Sequence, residues 1–143
     1  MPTIKAVGET VAKCDWTDEM RFILIQIMTD SPSDADIGYK KSEWIKIAIE
    51  FNEQTGLNLV NSQLQSQINS LKQKFQIFSK YENNSGFGFD EKTKCVTGPE
   101  AALDSYCLAH PNAKIFRRQP FPFYEVLKDL LQGKSGVAFG TKS

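Results

Sequence analysis

Five apolar side chains at helical spacing run through NSQLQSQINSLKQKFQIFSKY, residues 61–81. Leu64, Ile68, Leu71, Phe75 and Phe78 recur every three or four positions, which places them along one side of a 3.6-residue helix. Neither proline nor glycine interrupts them. The spacing predicts a helix from about Ser62 to Tyr81 with an apolar stripe that has to be covered. At 143 residues the chain has the length of one domain, so the cover is expected from its own other elements.

Those elements show the same periodicity. Thr17 suits an N-cap, Asp18 and Glu19 suit the first turn, and Met20, Ile23, Leu24 and Ile27 form a stripe, predicting a helix over 17–29. A second helix is expected from an N-cap at Ser42, with Trp44, Ile47, Ala48 and Phe51 on one face and Gly56 as the left-handed end. In TGPEAALDSYCLAHP, Thr97 and Glu100 have capping-box spacing and Pro99 suits the first turn; that helix should stop before Pro111. Pro122 can open a fifth helix that buries Phe123, Leu127, Leu130 and Leu131 and ends at Gly133. No stretch alternates like a strand. The expected fold is therefore all-α: a three-helix unit around Trp16, Trp44, Phe51, Ile68, Leu71 and Phe75, with two further C-terminal helices. The patterned region spans 14–133, and the ends at 1–13 and 134–143 are expected to be loose.

Several kinds of chemistry find no support. In GFGFDEKTKCV, Glu91 stands where a dinucleotide fingerprint needs its third glycine, a helix precedes where a strand should, and Asp90 and Glu91 would repel a phosphate. The glycines read better as a turn, with Gly86 and Gly88 permitting positive φ while Phe87 and Phe89 dock onto the helices. Cys107 and His110 make one short ligand pair, whereas structural zinc sites carry two. His110, just before Pro111, reads as a helix-end residue whose imidazole reaches the last carbonyls. It is the one histidine, and nothing surrounds the three cysteines that would activate a thiol. No catalytic motif emerges, so no enzyme, cofactor or metal is expected. The odd cysteine count and the lack of an apolar leader predict an intracellular, reduced chain, and FILIQIM is too short to span a bilayer.

Charge is the remaining guide. The chain carries 17 basic and 17 acidic residues, but unevenly. Residues 1–60 hold 6 basic and 10 acidic groups, while 61–81 hold Lys72, Lys74 and Lys80 and no carboxylate. A polar, lysine-bearing helix face is often only a solvated surface. This segregation favours recognition of a polyanion. Gln63, Gln67 and Ser70 are the candidates for contacts to base or groove edges, and Lys72, Lys74 and Lys80 for phosphate contacts.

Trp16 at the first helix, Trp44-Ile-Lys opening the second, then Phe51-Asn52 and Thr55-Gly56 resemble the Myb/SANT-like domains of fungi and plants. The likeness continues through Gln63-Leu64, Leu71-Lys72, the loop Gly86 to Asp90 and Tyr106. In that loop Phe89 stands in a position more often tryptophan, and the likeness ends with His110-Pro111-Asn112-Ala113, Phe116-Arg117 and Phe121-Pro122-Phe123-Tyr124. The resemblance spans roughly 14–133. It implies a Myb-type trihelical core in a non-catalytic, nuclear DNA-binding domain of transcriptional or transposon-related regulation. The third helix, about 62–81, would touch DNA, supplemented by Lys40, Lys41, Arg117 and Arg118 if they share its side. The acidic first half also resembles SANT modules that bind basic nuclear or chromatin proteins; here that partner would meet the first helix or the loop from Asp30 to Asp36. Both partners stay open at this stage.

Overall fold

The computed structural model describes residues 15–31 and 39–133; the expected loose ends, Cys14 and most of the Asp30–Asp36 loop lie outside them. The described residues form α1 (Asp18–Thr29), α2 (Lys41–Thr55), α3 (Asn61–Glu82), a hairpin of β1 (Gly88–Asp90) and β2 (Cys95–Thr97), α4 (Glu100–Ala109), α5 (Ile115–Arg118) and α6 (Tyr124–Lys128). A 3-10 turn covers Pro111–Ala113 and a π-helical turn covers Asp129–Gly133. The fold is all-α apart from the hairpin. Contacts divide it into two compact units, one of residues up to 69 with those from 128 onward, the other of residues 70–127.

In the first unit, Thr17 Oγ1 accepts the Met20 N–H at 3.1 Å and caps α1 as expected. Leu24, Ile25, Ile27 and Met28 are buried, so the stripe is turned toward Ile25 and Met28 and leaves Met20 and Ile23 half-buried. The N-cap of the second helix lies two residues before Ser42: it is Lys40, with no side-chain bond, and its carbonyl accepts the Trp44 N–H at 3.0 Å. Trp44, Ile47, Ala48 and Phe51 are buried. Trp16 is only half-buried, with its ring 5.5 Å from that of Phe51. α1 packs on α2 and on the π-helical turn, where Leu130 is buried and Leu131 half-buried.

The second unit is built around Phe78, which is 0% exposed. Its ring meets those of Tyr124 at 4.9 Å, Phe116 at 5.1 Å, Phe121 at 5.3 Å and Phe89 at 5.8 Å. Leu71 and Phe75, expected in the trihelical core, fall in this unit and are buried there. The glycine-rich loop carries the hairpin that the sequence does not reveal, with Gly88 opposite Thr97, Phe89 opposite Val96 and Asp90 opposite Cys95. Gly86 has φ +87°, a left-handed value that favours glycine. Gly88 does not share it; Lys94 does, at φ 61°. Asp90 organises that turn: its carboxylate accepts the Lys92 N–H at 3.1 Å and the Thr93 hydroxyl at 3.0 Å. Phe87 docks edge-on against Tyr81, 5.9 Å between centroids.

Three helix boundaries differ from expectation in this unit. Thr97 belongs to β2, and Pro99 takes the N-cap position of α4, so Thr97 and Glu100 form no capping box. Residues 111–118, for which the sequence predicts no element, coil into the 3-10 turn and α5. The anticipated fifth helix is α6, continuing into the π-helical turn rather than as a regular helix. His110 closes α4 as expected, with Nδ1 3.0 Å from the Tyr106 carbonyl oxygen and its ring 4.0 Å from the Tyr106 ring.

Two buried phenols give this unit a pH limit. Burial, and then a hydrogen bond with Cys107, raises the Tyr81 pKa above the usual tyrosine value; burial, and then the bond to Glu82 at 2.8 Å, does the same for Tyr124. Both folded values exceed the unfolded one, so the stabilisation is complete below the unfolded value of about 10 and is lost as pH rises beyond it. The urea midpoint is expected to hold to about pH 9 and then fall. Tyr124→Phe should reduce the alkaline slope, and an unchanged slope would remove Tyr124 from the account.

Candidate nucleic-acid interface

The turn between α2 and α3 fixes how α3 starts after α2. Gly56, φ +77°, ends α2 and donates its N–H to the Asn52 carbonyl at 2.8 Å. The Asn52 carboxamide then grips Leu59 twice, accepting its N–H at 2.9 Å and donating to its carbonyl at 3.0 Å. Thr55 Oγ1 donates to the Phe51 carbonyl at 2.8 Å and accepts the Leu57 N–H at 3.2 Å. Backbone groups that would otherwise be left at the helix ends are thus satisfied by Asn52 and Thr55.

Gln63 and Gln67 take part in the same positioning. Gln63 Oε1 accepts the Val60 N–H at 3.0 Å, the reach-back half of a capping box. Gln67 Oε1 accepts Arg21 Nε–H at 2.8 Å, tying α3 to α1, and Arg21 also pairs with Asp18 at 2.9 Å. Both glutamines are half-buried, while Ser70 is exposed. Successive residues turn by about 100° around a helix, so Gln63, Gln67, Ser70 and Lys74 line one flank of the buried stripe. Lys72 stands on the opposite flank and is half-buried; Lys80 is exposed on the outward face. The six candidates therefore do not share one face. Among the described residues no ion pair holds Lys72, Lys74 or Lys80.

Between the lysine flanks lies an outward strip of Ser62, Ser66, Asn69, Gln73 and Gln76, all exposed. Sequence reasoning did not single these residues out. The period of the Leu64–Phe78 stripe contains them, since they stand opposite it. Of the proposed supplementary cations, Lys40, Lys41 and Arg118 are exposed. Arg117 is committed: its guanidinium pairs with Glu100 at 2.6 Å and Asp104 at 2.8 Å, and these bonds, Asp104's first, raise its pKa further. Among the described residues no helix is long and apolar enough to cross a membrane.

Helix α2, closed by the left-handed Gly56, turns into the long helix α3, whose polar outer strip lies between Lys72 on one flank and Lys74 on the other. The Myb/SANT-like DNA-binding domain description matches residues 15–106, from the start of α1 into α4, and the chain belongs to that family. It is also similar to an Arabidopsis thaliana protein, "Uncharacterized protein At2g29880", at 26% identity over 149 residues, covering 93% of this chain. The chain spans about half, 48%, of that relative's length. No solved structure matches it.

Proposed function

We propose that this chain is a non-catalytic DNA-binding module that lays α3 into the major groove, working in the nucleus in transcriptional or transposon-related regulation. The observation that carries the reading is the state of the three lysines: on a helix without carboxylates before Glu82, Lys72, Lys74 and Lys80 have no acidic partner among the described residues. Their placement suits a duplex. A helix of about 10–12 Å fills a major groove of about 12 Å, so lysines on opposite flanks reach toward phosphates on opposite walls. Gln63 and Gln67 then act through the bonds that orient α3, with their carboxamide nitrogens turned to groove edges, and Ser70 adds a hydroxyl beside Lys74.

Titrating the full chain with random duplex DNA at about 50 and about 200 mM salt tests this. Three neutralised phosphates give a slope of log K against log salt of about −3, a weakening of roughly fiftyfold over that range. Changing Lys72, Lys74 and Lys80 together to alanine should flatten the slope toward zero. An unaltered slope would move the interface off α3. Absence of any complex at low salt would defeat the DNA reading and favour a basic protein partner at the acidic start of α1 or the Asp30–Asp36 loop.

A further inference from the structure

We infer that the outward strip of α3 selects adenine-containing sites, with Asn69 and Gln73 as the specificity-determining residues; this rests on the DNA-binding reading. Several amides of this protein are already engaged: Gln63 and Gln67 in placing α3, Asn52 in the turn before it, and Gln26, Gln54, Asn83 and Asn84 with residues three or four positions earlier or later in the chain. On the outward strip Asn69, Gln73 and Gln76 are not, and Asn69 and Gln73 stand nearest its N-terminal half. Asn69 and Gln73 are exposed and form no hydrogen bond with any described residue. Four positions apart on one helix, they project from successive turns on the same side, the arrangement that lets two side chains address neighbouring base pairs.

The chemistry of the strip narrows the base. Asn and Gln carboxamides present a donor and an acceptor side by side, matching adenine N6–H and N7 in the major groove. Guanine presents two acceptors there and is met by arginine or lysine. From Asn61 to Leu71 α3 has no basic residue, the lysines at 72 and 74 stand on the flanks rather than on the strip, and Lys80, on the outward face, lies seven residues beyond Gln73, about two turns away. Ser62 and Ser66, on the same strip, tolerate any base because a hydroxyl both donates and accepts.

The test compares the full chain on equal-length duplexes at one salt concentration: mixed A·T sequence, G·C sequence, and the A·T sequence with 7-deazaadenine replacing adenine. Tighter binding to the A·T duplex by about tenfold or more is expected, with most of the advantage lost when N7 is removed. The double change N69A and Q73A, at exposed positions where alanine favours helix, should abolish the preference and keep the salt slope. The Lys72, Lys74 and Lys80 alanine variant should bind all duplexes more weakly and keep the preference. Equal binding to A·T and G·C duplexes overturns this inference and leaves DNA binding standing, as does an A·T preference indifferent to 7-deazaadenine, which would be minor-groove reading. Failure to bind any duplex overturns both readings.

Discussion

Phe78→Ala is expected to remove about 3–5 kcal/mol of folding stability, the usual cost of deleting a fully buried aromatic side chain. Phe78 is 0% exposed and its ring touches four others, those of Phe89, Phe116, Phe121 and Tyr124. Aromatic pairs add about 0.5–1.5 kcal/mol each beyond burial, which places this site toward the upper end of the range. Domains are stable by about 5–15 kcal/mol in total, so the variant should be largely unfolded near its growth temperature or melt far earlier. Urea denaturation followed by far-UV circular dichroism reads the change. The neighbouring Gln76→Ala, at an exposed position, should stay within about 0.5 kcal/mol of the parent. A loss below about 1 kcal/mol at Phe78 would contradict the packing of the second unit around this ring.

The same ring shows what a sequence can and cannot disclose. Phe78 was legible as buried because it continues the Leu64–Phe75 stripe, and a period needs only neighbours along one helix. Thr17 and Gly56 were legible for a similar reason: caps are local chemistry. Which rings surround Phe78 was not, since Phe89, Phe116 and Phe121 arrive from distant short elements. The hairpin strands have three residues each and α5 has four, too few for alternation or periodicity to register. Thr97 had the spacing of a cap but pairs with Gly88 in the hairpin instead, so tertiary pairing overrode a local signal.

The candidate interface was legible in composition and less so in geometry. The carboxylate-free lysine segment is visible in the sequence, and so in principle is the reach-back of Gln63, three residues beyond Val60. The bond between Arg21 and Gln67 joins residues 46 apart and follows from no local rule. Choosing glutamines by type picked out two that hold the helix, whereas the helical period alone separates them from Asn69 and Gln73 on the outward strip. Residue type proposes chemistry; the turn of the helix decides where it points.

Asn52→Ala should cost about 2 kcal/mol, two hydrogen bonds at about 1 kcal/mol each, and should weaken DNA binding without changing its salt slope. The side chain both accepts the Leu59 N–H and donates to the Leu59 carbonyl, so a single carboxamide closes the path from α2 to α3. Alanine leaves those half-buried backbone groups to water and loosens the angle at which α3 departs, while every lysine that meets phosphate is retained. Asn52→Asp separates the two halves of the clamp. Its carboxylate still accepts the Leu59 N–H but has no donor for the carbonyl and sets negative charge against that oxygen. It should therefore be no more stable than the alanine variant, despite conserving shape. If accepting the Leu59 N–H were the whole of its role, aspartate would substitute for it well. Equal stability of Asn52→Asp and the parent in urea titration would show that donation to Leu59 contributes nothing, and the turn would then rest on Gly56 and Thr55.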